Sequence, residues 1–582
     1  MNGDHERLTS VALLSTSSVQ LIADALCMEL RRFDWDVRIW QSGFNHYRQD
    51  VANPASSLYL ERPHVVIVHL DGEDIFADRL RNPFDSAKDE RAQQAEKAAH
   101  EVEYYVDLLC ERLPDTLVVL NTVYLPPIHA LTGVEYNSDW NLGDLAVHYN
   151  AELTRIRERH RNVLVHDVAS LVMFAGYQRW VDPRLWHLAR CRLSGEATKI
   201  LARSLGALLR AWKGQTRKCL VVDLDNTLWG GVVGEDGIDG IELGEEGIGL
   251  AFAEFQEELA KLVRKGVLLA ICSKNNEADA LDVLRRHPSV RLREEAFAAW
   301  RINWRDKATN LRELAAELNI GLDSFVFIDD NAAERELVRT SLPDVLVPDW
   351  PQDPSGLKAA LLDLAVRHFP RVSIIAEDQA RTAMYRAEGQ RRVLAASSGS
   401  LETYLRSLDM VAEIGFADGF SIPRIAQLTQ KTNQFNLTTR RYTEADIRGM
   451  AADPATLVMW LRLRDRFADC GIIGVFIARQ CNCRAWVIDT LLLSCRVIGR
   501  NVEDAFLAVA CQALLGRGMK QLVGEHVPTP KNMPALDVYR RLGFELIQEI
   551  DGVTRWQLVI SEKQIAIPEW IAVRLAAEGQ YA

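Results

Sequence analysis

An apolar strand that runs directly into two carboxylates is the feature that most constrains the fold of this chain. Residues 219–222 are small or apolar, Asp223 follows them at once, and Asp225 stands two positions later. Such a run is typical of a buried parallel strand, and the acidic pair is expected just beyond its carboxyl end. Carboxylates in that place can hold a hard cation and set an oxygen in line with a phosphorus atom. The stretch therefore indicates Mg²⁺-dependent phosphoryl transfer.

Three further segments extend this arrangement downstream of Asp225. An apolar run ends at Ser273, a cationic segment carries Lys307, and another apolar run ends in Asp329 and Asp330. Segments typical of helices separate the runs. Alternating strands and helices predict a parallel sheet whose site lies outside the carboxyl ends of the strands.

Each residue type suits one part of a phosphoryl-transfer site. Asp223 is the predicted nucleophile on phosphorus, and Asp225 is the predicted acid and base for the leaving oxygen. Hydroxyl and ammonium groups stabilise phosphate oxygens, and carboxylates bind Mg²⁺. The predicted phosphate-binding residues are Thr227, Ser273 and Lys307. The predicted metal ligands are Asp223, Asp225, Asp329 and Asp330.

The order of these motifs resembles the haloacid dehalogenase (HAD) superfamily, and longer runs are similar to the FkbH-like family within it. The resemblance spans residues 218–500 and is carried by DLDNTLWGGVVGEDG, CSKNNEADAL, NWRDKATNLRELAAELNIGLDSFVFIDDNAAERE, LTQKTNQFNLTTRRYTEADI and SCRVIGR. It implies an enzyme of natural-product assembly lines, with Mg²⁺ as cofactor. Such an enzyme takes 1,3-bisphosphoglycerate, captures its glyceryl group as a thioester and releases phosphate. It then passes glycerate to the phosphopantetheine thiol of an acyl carrier protein.

The thioester that the resemblance implies needs a cysteine thiolate beside bound phosphate. Cys272 lies at the predicted phosphate pocket, where Lys274 and Lys307 are expected to lower its pKa. Cys495 stands just before a candidate pantetheine loop and next to Arg496. The acyl group is carried by Cys272, by Cys495 or by neither, since buried cysteines commonly behave as small apolar residues.

Residues 1–212 are expected to form a separate α/β domain. The candidate strands are 9–14, 64–70, 117–120 and 162–166. Their alternation with helices resembles the SGNH-hydrolase-like domain that precedes HAD modules in FkbH-type proteins. That class uses a Gly-Asp-Ser turn and a late Asp-x-x-His, whereas this chain has no such turn and Asp182 and His187 are five positions apart. The domain is therefore predicted to be non-catalytic.

The HAD-like module is expected to span residues 216–370. Its insert at 231–249 is short and rich in glycine and acidic residues, which predicts a short β-type flap over the site rather than a large cap domain. A small cap leaves the pocket open to a macromolecular thiol. Four prolines between 348 and 370 mark the boundary that follows.

Residues 376–582 are expected to form a GNAT-like α+β domain. Arg496, Gly499 and Asn501 stand in the pattern R/Q-x-x-G-x-G/A, whose backbone N–H groups bind the pyrophosphate of coenzyme A in that family. Asn501 replaces the small residue of the pattern, so a pantetheine arm with one phosphate fits better than coenzyme A. The segment 532–544 resembles the last helix and strand of the GNAT fold. The predicted carrier- and pantetheine-binding residues are Arg496, Gly499, Asn532 and Tyr539.

The predicted fold class is thus a multidomain α/β protein with an SGNH-like α/β domain, a HAD-like Rossmannoid parallel sheet and a GNAT-like α+β domain. The 582 residues carry a formal net charge of −12, which disfavours nucleic acid and anionic membranes as partners. No apolar run of about 18 residues appears, and the polar N-terminus predicts no signal peptide. Ten scattered cysteines are expected to be reduced thiols, so a cytoplasmic protein is predicted.

Three functions stay open at this point. The first is glyceryl transfer to an acyl carrier protein, as the family resemblance implies. The second is a HAD-type phosphatase or acyltransferase that acts on another phosphorylated substrate. The third is a non-catalytic scaffold that docks carrier proteins. The scaffold is disfavoured because a degenerate site is expected to have lost at least one of Asp223, Asp225, Ser273, Lys307 and Asp329.

Overall fold

Two parallel sheets and one largely antiparallel sheet organise the chain, which confirms the predicted multidomain α/β fold class. The computed structural model describes residues 8–576 except 84–87, 131, 135–136, 138–140, 161, 373, 375–377, 379–380, 433, 482–484, 530–531, 551 and 561–563. The chain divides into two units, Met1–Lys218 with Lys358–Ile374, and Cys219–Leu357 with Ile375–Ala582. Residues 358–370, which the sequence places in the HAD-like module, group with the first unit. The other predicted domain limits stay predictions.

The first unit contains a five-stranded parallel sheet in the order β2-β1-β3-β4-β5. Its strands are β1 (Leu8–Ser15), β2 (Asp36–Gln41), β3 (Val65–His69), β4 (Leu117–Asn121) and β5 (Val163–His166). Its helices are Gln20–Arg31, Tyr47–Ala52, Ser57–Glu61, Gly72–Ile75, Ala77–Arg81, Lys88–Arg112, Gly143–Arg159, Val168–Ala175, Tyr177–Trp180, Pro183–Ala189, Gly195–Trp212 and all but the first residue of Leu357–His368. Neighbouring residues such as Leu13 and Leu14 enter different apolar clusters, so both faces of this sheet are covered.

The second unit begins with a four-stranded parallel sheet in the order β8-β7-β6-β9. Its strands are β6 (Cys219–Val222), β7 (Leu268–Ser273), β8 (Phe297–Ile302) and β9 (Phe325–Ile328). The helices around it are Val233–Asp236, Gly247–Arg264, Glu277–Arg286, Lys307–Leu318 and Ala332–Ser341, with short 3₁₀ turns at Glu294–Ala296, Leu322–Ser324 and Pro354–Gly356. Every residue of β6, β7 and β9 is buried. The polar residues that follow these strands are therefore the first groups at the sheet edge.

The structure corrects the β-type flap predicted at 231–249, because this insert is a loop with one helical turn and contains no strand. Gly230 and Glu242 close it by exchanging backbone hydrogen bonds of 3.1 and 2.9 Å. The turn Val233–Asp236 lies inside it. The insert is thus a small flap, as its length predicts, built from turns because its glycines and acidic residues disfavour strands.

The third sheet has the order β16-β17-β15-β14-β13-β12-β10-β18, and β11 pairs with β14. Its strands are β10 (Met410–Phe416), β11 (Phe435–Asn436), β12 (Thr456–Arg464), β13 (Asp469–Gln480), β14 (Ala485–Leu493), β15 (Gln521–His526), β16 (Glu545–Ile550), β17 (Val553–Val559) and β18 (Ile571–Leu575). Its helices are Arg381–Ser397, Leu401–Ser407, Ile422–Lys431, Glu444–Ala452, Val502–Gly516 and Val538–Arg541, with 3₁₀ turns at Cys495–Val497 and Met533–Ala535. Within the described part of the chain, no helix is long and apolar enough to cross a bilayer.

Candidate active site

The register of β6 and β9 brings two carboxylates to one point of the sheet edge. Val222 lies opposite Ile328, and each is the last residue of its strand. Asp223 and Asp329 therefore follow neighbouring strands side by side. The backbone N–H of Asp223 also donates to the carbonyl of Ile328 at 3.1 Å, which continues the pairing by one residue.

Asp330 completes an acidic cluster with these two residues. One carboxylate oxygen each from Asp223, Asp329 and Asp330 lies within 4.8 Å of the other two. Lys307 is the first residue of the helix that follows β8, and its side chain contacts this cluster. Its Nζ is 3.0 Å from Oδ2 of Asp223 and 2.5 Å from Oδ2 of Asp329. The structure thus brings together four of the predicted site residues.

Burial and mutual repulsion perturb the charged groups of this cluster. Burial raises the pKa of Asp329 to about 6, with a further increase from Asp223 that Lys307 opposes. Burial and then the charge of Asp223 also raise the pKa of Asp330. For Lys307 burial acts downward, but Asp223 and Asp329 outweigh it and hold its pKa above the ordinary value. The cluster is therefore short of positive charge.

These groups fit a divalent cation. Three carboxylates and one ammonium leave two negative charges, which is the charge that one Mg²⁺ neutralises. Oδ1 of Asp223 is buried and has no hydrogen-bond partner among the described residues. A buried carboxylate oxygen without a partner is costly unless a ligand engages it. Asp223, Asp329 and Asp330 are the residues that would hold the ion.

The structure corrects the assignment of the Asp225 side chain to the metal. Its Oδ1 accepts from the indole N–H of Trp229 at 2.9 Å and from the backbone N–H of Val233 at 3.1 Å, and its Oδ2 accepts from the amide of Asn275 at 2.9 Å. Asp225 is outside the acidic cluster found in the described chain. Burial raises the pKa of Asp225, Val233 and Trp229 oppose the increase, and Asp223 adds to it. A raised pKa suits the predicted acid role, which stays a prediction.

The two predicted phosphate-binding hydroxyl residues are both buried near this edge. Thr227 follows Asp223 in a turn in which its backbone N–H donates to the carbonyl of Leu224 at 3.0 Å. Its Oγ1 is buried and, in the part of the chain that the structure describes, finds no hydrogen-bond partner. Ser273 is the last residue of β7 and is 2% exposed. Phosphate binding by Thr227 and by Ser273 stays a prediction.

The expectation that lysines lower the pKa of Cys272 is wrong. Burial raises the pKa of this thiol, and Lys307 offsets the increase only in part. The side chain packs in the apolar cluster that includes Ala298 and Phe327, and it is fully buried. Lys274 instead pairs with Glu334 at 2.6 Å. Cys272 therefore lacks the thiolate character and the access that an acyl acceptor needs.

The second cysteine candidate, Cys495, lies in the third sheet's domain, just after β14. The backbone of Cys495 begins the 3₁₀ turn Cys495–Val497, but its side chain lies outside the described residues. Arg496 and Gly499 follow in the loop before helix Val502–Gly516. Gly499 is exposed and has φ +84°, a left-handed conformation that favours glycine. The predicted contact of this loop with a pantetheine phosphate stays a prediction.

The other two predicted pantetheine residues point into the protein. Asn532 is fully buried, and its amide donates to the carbonyls of Asn436 at 3.0 Å and Val527 at 2.8 Å. Tyr539 is also fully buried, and its ring lies where a Cβ on Gly524 would approach Cζ to 2.3 Å. The structure thus corrects both assignments, because these side chains hold the fold of the domain.

The chain itself fills the place where β14 and β15 separate. These strands pair in parallel only from Ala485 to Val487 of β14. Farther along, β11 pairs with Leu492 and Leu493, and Leu437 links the two sides because its N–H donates to Leu491 at 3.1 Å and its carbonyl accepts from Val527 at 2.8 Å. Phe435 and Leu437 belong to the apolar core of the domain. The segment Phe435–Leu437 therefore closes the β14–β15 gap to an extended ligand.

Trp229 and Asn275 are site residues that the sequence did not single out. Both donate to Asp225, and both stand within the runs that resemble the FkbH-like family. Their position two to four residues beyond a strand-end polar residue was the available signal. Tryptophan is usually read as core, however, and which atom its indole N–H meets depends on the folded turn.

No protein-family model matches the chain, and no curated protein matches it. Among solved structures, the chain is similar to the N-terminal part of protein BF1531 from Bacteroides fragilis, which contains a phosphatase domain and is complexed with Mg. The identity is 32%, the TM-score is 0.57, and the similarity covers 63% of this chain and 95% of that chain. It is also similar to the ribosomal-protein-S18-alanine N-acetyltransferase from Escherichia coli, at 15% identity over 29% of this chain and 99% of that chain with a TM-score of 0.20. The GNAT domain of PAT from S. lividans is 13% identical over 25% of this chain and 88% of that chain, with a TM-score of 0.21.

Proposed function

Since the chain belongs to the same family as the Bacteroides fragilis phosphatase-domain protein, we propose that it is a Mg²⁺-dependent phosphoryl-group hydrolase of the HAD type. The observation that carries the proposal is the ion-paired cluster in which Lys307 bridges Asp223 and Asp329 beside Asp330. A lysine and three acidic side chains from three separate segments have no structural need to converge at one sheet edge. Their convergence serves a bound phosphate and its counter-ion.

In this proposal each residue of the site has a separate role in phosphate hydrolysis. Asp223 attacks phosphorus through a carboxylate oxygen, the bond from phosphorus to the leaving oxygen breaks, and Asp225 gives that oxygen a proton. Lys307 offsets the negative charge that Asp223 and the phosphate bring together. When bound, Mg²⁺ supplies Lewis-acid stabilisation of the phosphate oxygens. Water then attacks the aspartyl phosphate, Asp225 takes a proton from it, and Asp223 and inorganic phosphate are released.

The finer proposal is the FkbH-like reaction on 1,3-bisphosphoglycerate. A cysteine thiol attacks the acyl carbon, the bond from that carbon to the phosphate oxygen breaks, and the phosphate leaves with the thiol proton. The 3-phosphate is removed at Asp223. The pantetheine thiol of an acyl carrier protein then takes the glyceryl group, and its proton returns to the cysteine. Because Cys272 is buried, Cys495 is the candidate carrier of the thioester. The proposed reaction takes place in the cytoplasm, where thiols stay reduced.

The experiment incubates the purified chain with Mg²⁺, 1,3-bisphosphoglycerate and a phosphopantetheinylated acyl carrier protein. Intact-protein mass spectrometry and phosphate release are followed together. A glyceryl adduct on this chain and then on the carrier supports the finer proposal. Phosphate release that disappears in Asp223→Asn, without any adduct, leaves only the phosphatase. If the wild-type chain releases no phosphate from any substrate, the result favours a non-catalytic docking scaffold.

A phosphatase that acts on another phosphorylated substrate is the second candidate. It is favoured by the burial of Cys272 and by the segment Phe435–Leu437, which closes the β14–β15 gap. A screen of phosphomonoesters and acyl phosphates separates the two candidates. Faster Asp223-dependent turnover of a phosphomonoester than of 1,3-bisphosphoglycerate favours this second function.

A further inference from the structure

The carboxylate of Asp225 accepts hydrogen bonds from three donors among the described residues, and the bonds are distributed unequally between its two oxygens. Oδ1 accepts two hydrogen bonds, from Nε1 of Trp229 and from the backbone N–H of Val233. Oδ2 accepts one, from the side-chain amide of Asn275. A carboxylate oxygen has two lone pairs in its plane. Oδ1 is therefore saturated, and Oδ2 keeps one position free.

The donors are themselves fixed by the surrounding structure. Trp229 is fully buried, and the carbonyl of the preceding Leu228 accepts from the amide of Gln256 at 2.8 Å. Asn275 is 4% exposed, and its Oδ1 accepts from the N–H of Asn276 at 2.9 Å, so its amide group is orientated toward Asp225. Asn275 therefore cannot turn its amide without breaking its bond to Asn276, and the indole of Trp229 is confined by the packing of its fully buried ring.

Val233 ties the same carboxylate to the flap. It is the first residue of the turn Val233–Asp236, and the N–H of the preceding Val232 is held by the Asp236 side chain at 2.8 Å. The flap, the segment after β7 and the turn after β6 thus each donate one hydrogen bond to the carboxylate of Asp225. This carboxylate belongs to the residue that the proposed function uses as acid and base.

We propose that Trp229 and Asn275 are positioning residues that lock Asp225 so that only its Oδ2 exchanges protons with the reacting oxygens. The inference rests on the proposed function. In the first half-reaction the proton on Oδ2 passes to the leaving oxygen as its bond to phosphorus breaks. In the second half-reaction Oδ2 takes a proton from water as the water oxygen attacks phosphorus and the bond to Asp223 breaks. Both transfers need one fixed oxygen, since a carboxylate that rotates loses the alignment.

The test compares kcat/KM on two phosphomonoesters that differ in their need for an acid. p-Nitrophenyl phosphate has a good leaving group, whereas glycerol phosphate has a poor one that must be protonated. The value of kcat/KM reports only the steps up to the first bond cleavage. Trp229→Phe and Asn275→Leu remove one donor each, and Asp225→Asn removes the proton itself.

We expect Trp229→Phe and Asn275→Leu each to lose about tenfold in kcat/KM on glycerol phosphate and less than about threefold on p-nitrophenyl phosphate, whereas Asp225→Asn is expected to lose about a hundredfold or more on glycerol phosphate. Combining either substitution with Asp225→Asn is expected to add little further loss, because the donors act through Asp225. Trp350→Phe is the matched control, since Trp350 is likewise a buried tryptophan and its ring packs against Phe255. Asn275→Gln, which keeps the amide, is expected to recover part of the activity.

Equal losses on both substrates, or losses that add to that of Asp225→Asn, overturn the inference and leave the phosphatase intact. These outcomes indicate that Trp229 and Asn275 only support the fold. A wild-type protein with no phosphate release that depends on Asp223 overturns the proposed function, and the inference with it.

Discussion

Asp223 and Lys307 form an ion pair of 3.0 Å in which both side chains are nearly inaccessible to water. The aspartate ends one strand and the lysine begins a helix two strands farther along the chain. The same ammonium contacts Asp329, so its positive charge offsets the repulsion between the two buried carboxylates. Removing one partner from such a group leaves charge buried without compensation.

Lys307→Met is therefore expected to destabilise the second unit by about 3–5 kcal/mol when Mg²⁺ is absent. Saturating Mg²⁺ is expected to recover much of this loss, because the cation replaces the missing positive charge. Thermal unfolding with and without Mg²⁺ measures both effects. Lys274→Met is the control, since its pair with Glu334 is partly exposed and should contribute less than about 1 kcal/mol. Equal melting of the two variants contradicts the prediction.

Mg²⁺ affinity is expected to distinguish Asp330 from Asp225. Asp330→Asn removes a ligand of the acidic cluster and should weaken binding by about tenfold or more. Asp225→Asn should leave the affinity within about threefold, because its carboxylate is already engaged by Trp229, Val233 and Asn275. Isothermal titration with MgCl₂ gives both constants. A large loss in Asp225→Asn would restore its side chain to the metal site.

Thiol modification should discriminate the cysteines by burial. Cys272 is fully buried with a raised pKa, whereas Cys481 is exposed. Iodoacetamide on the native protein is expected to alkylate Cys481 within minutes and to leave Cys272 unmodified for hours. Peptide mass mapping identifies the labelled sites. Rapid alkylation of Cys272 in the folded protein would reinstate it as an acyl acceptor.

Asn532→Ala is expected to loosen the segment that closes the β14–β15 gap. The substitution leaves the carbonyls of Asn436 and Val527 without their amide partner, at a cost of about 2 kcal/mol or more. Hydrogen exchange at the N–H of Leu437 and of Val527 should then accelerate by about tenfold or more. Gln434→Ala, at an exposed position immediately before this segment, is the control. Unchanged exchange would show that Asn532 does not hold this segment.

The first unit is expected to lose stability in mild acid because of His166. Burial lowers the pKa of this histidine to about 4, and its Nε2 lies 2.7 Å from Oγ of Ser204. Its unfolded value is near 6.5, so the folded state favours the neutral ring. The contribution is fully present above about pH 6.5 and is lost as the pH falls through about 4, by about 3 kcal/mol in total. Hydrogen exchange of β4 and β5 at pH 7 and pH 4.5 measures it.

His166→Gln keeps a hydrogen-bonding side chain that does not titrate in this range. Opening of β4 and β5 in this variant should depend less on pH than in the wild type. His148→Gln, at an exposed position, should behave like the wild type. Identical pH dependence in wild type and His166→Gln contradicts the assignment.

The sequence pattern predicted the end of a strand correctly where a polar site residue ends the strand or directly follows it. The ends of β6, β7 and β9 lie within one residue of the predicted positions, and strands β1 and β3–β5 overlap the candidate strands of the first unit. The strands that were not anticipated include β2, β8 and β11. Residues 36–41 contain polar side chains on both faces, 297–302 have no turn signal before them, and β11 is only two residues long. Short or mixed strands are defined by their neighbours rather than by their own pattern.

The sequence by itself determined that Asp223, Asp329 and Asp330 would meet, because the carboxyl ends of parallel strands share one edge and any residue that follows them is carried there. Lys307 follows β8, which was not anticipated, so its place beside these carboxylates was expected only from the order of the motifs. Only the tertiary structure decided what surrounds each group. Cys272 and Ser273 are adjacent, yet alternation along β7 directs them to opposite faces, and only the packed helices establish that the cysteine face is apolar core. Likewise, Asp225 is separated from the metal cluster by donors whose directions exist only in the folded turn.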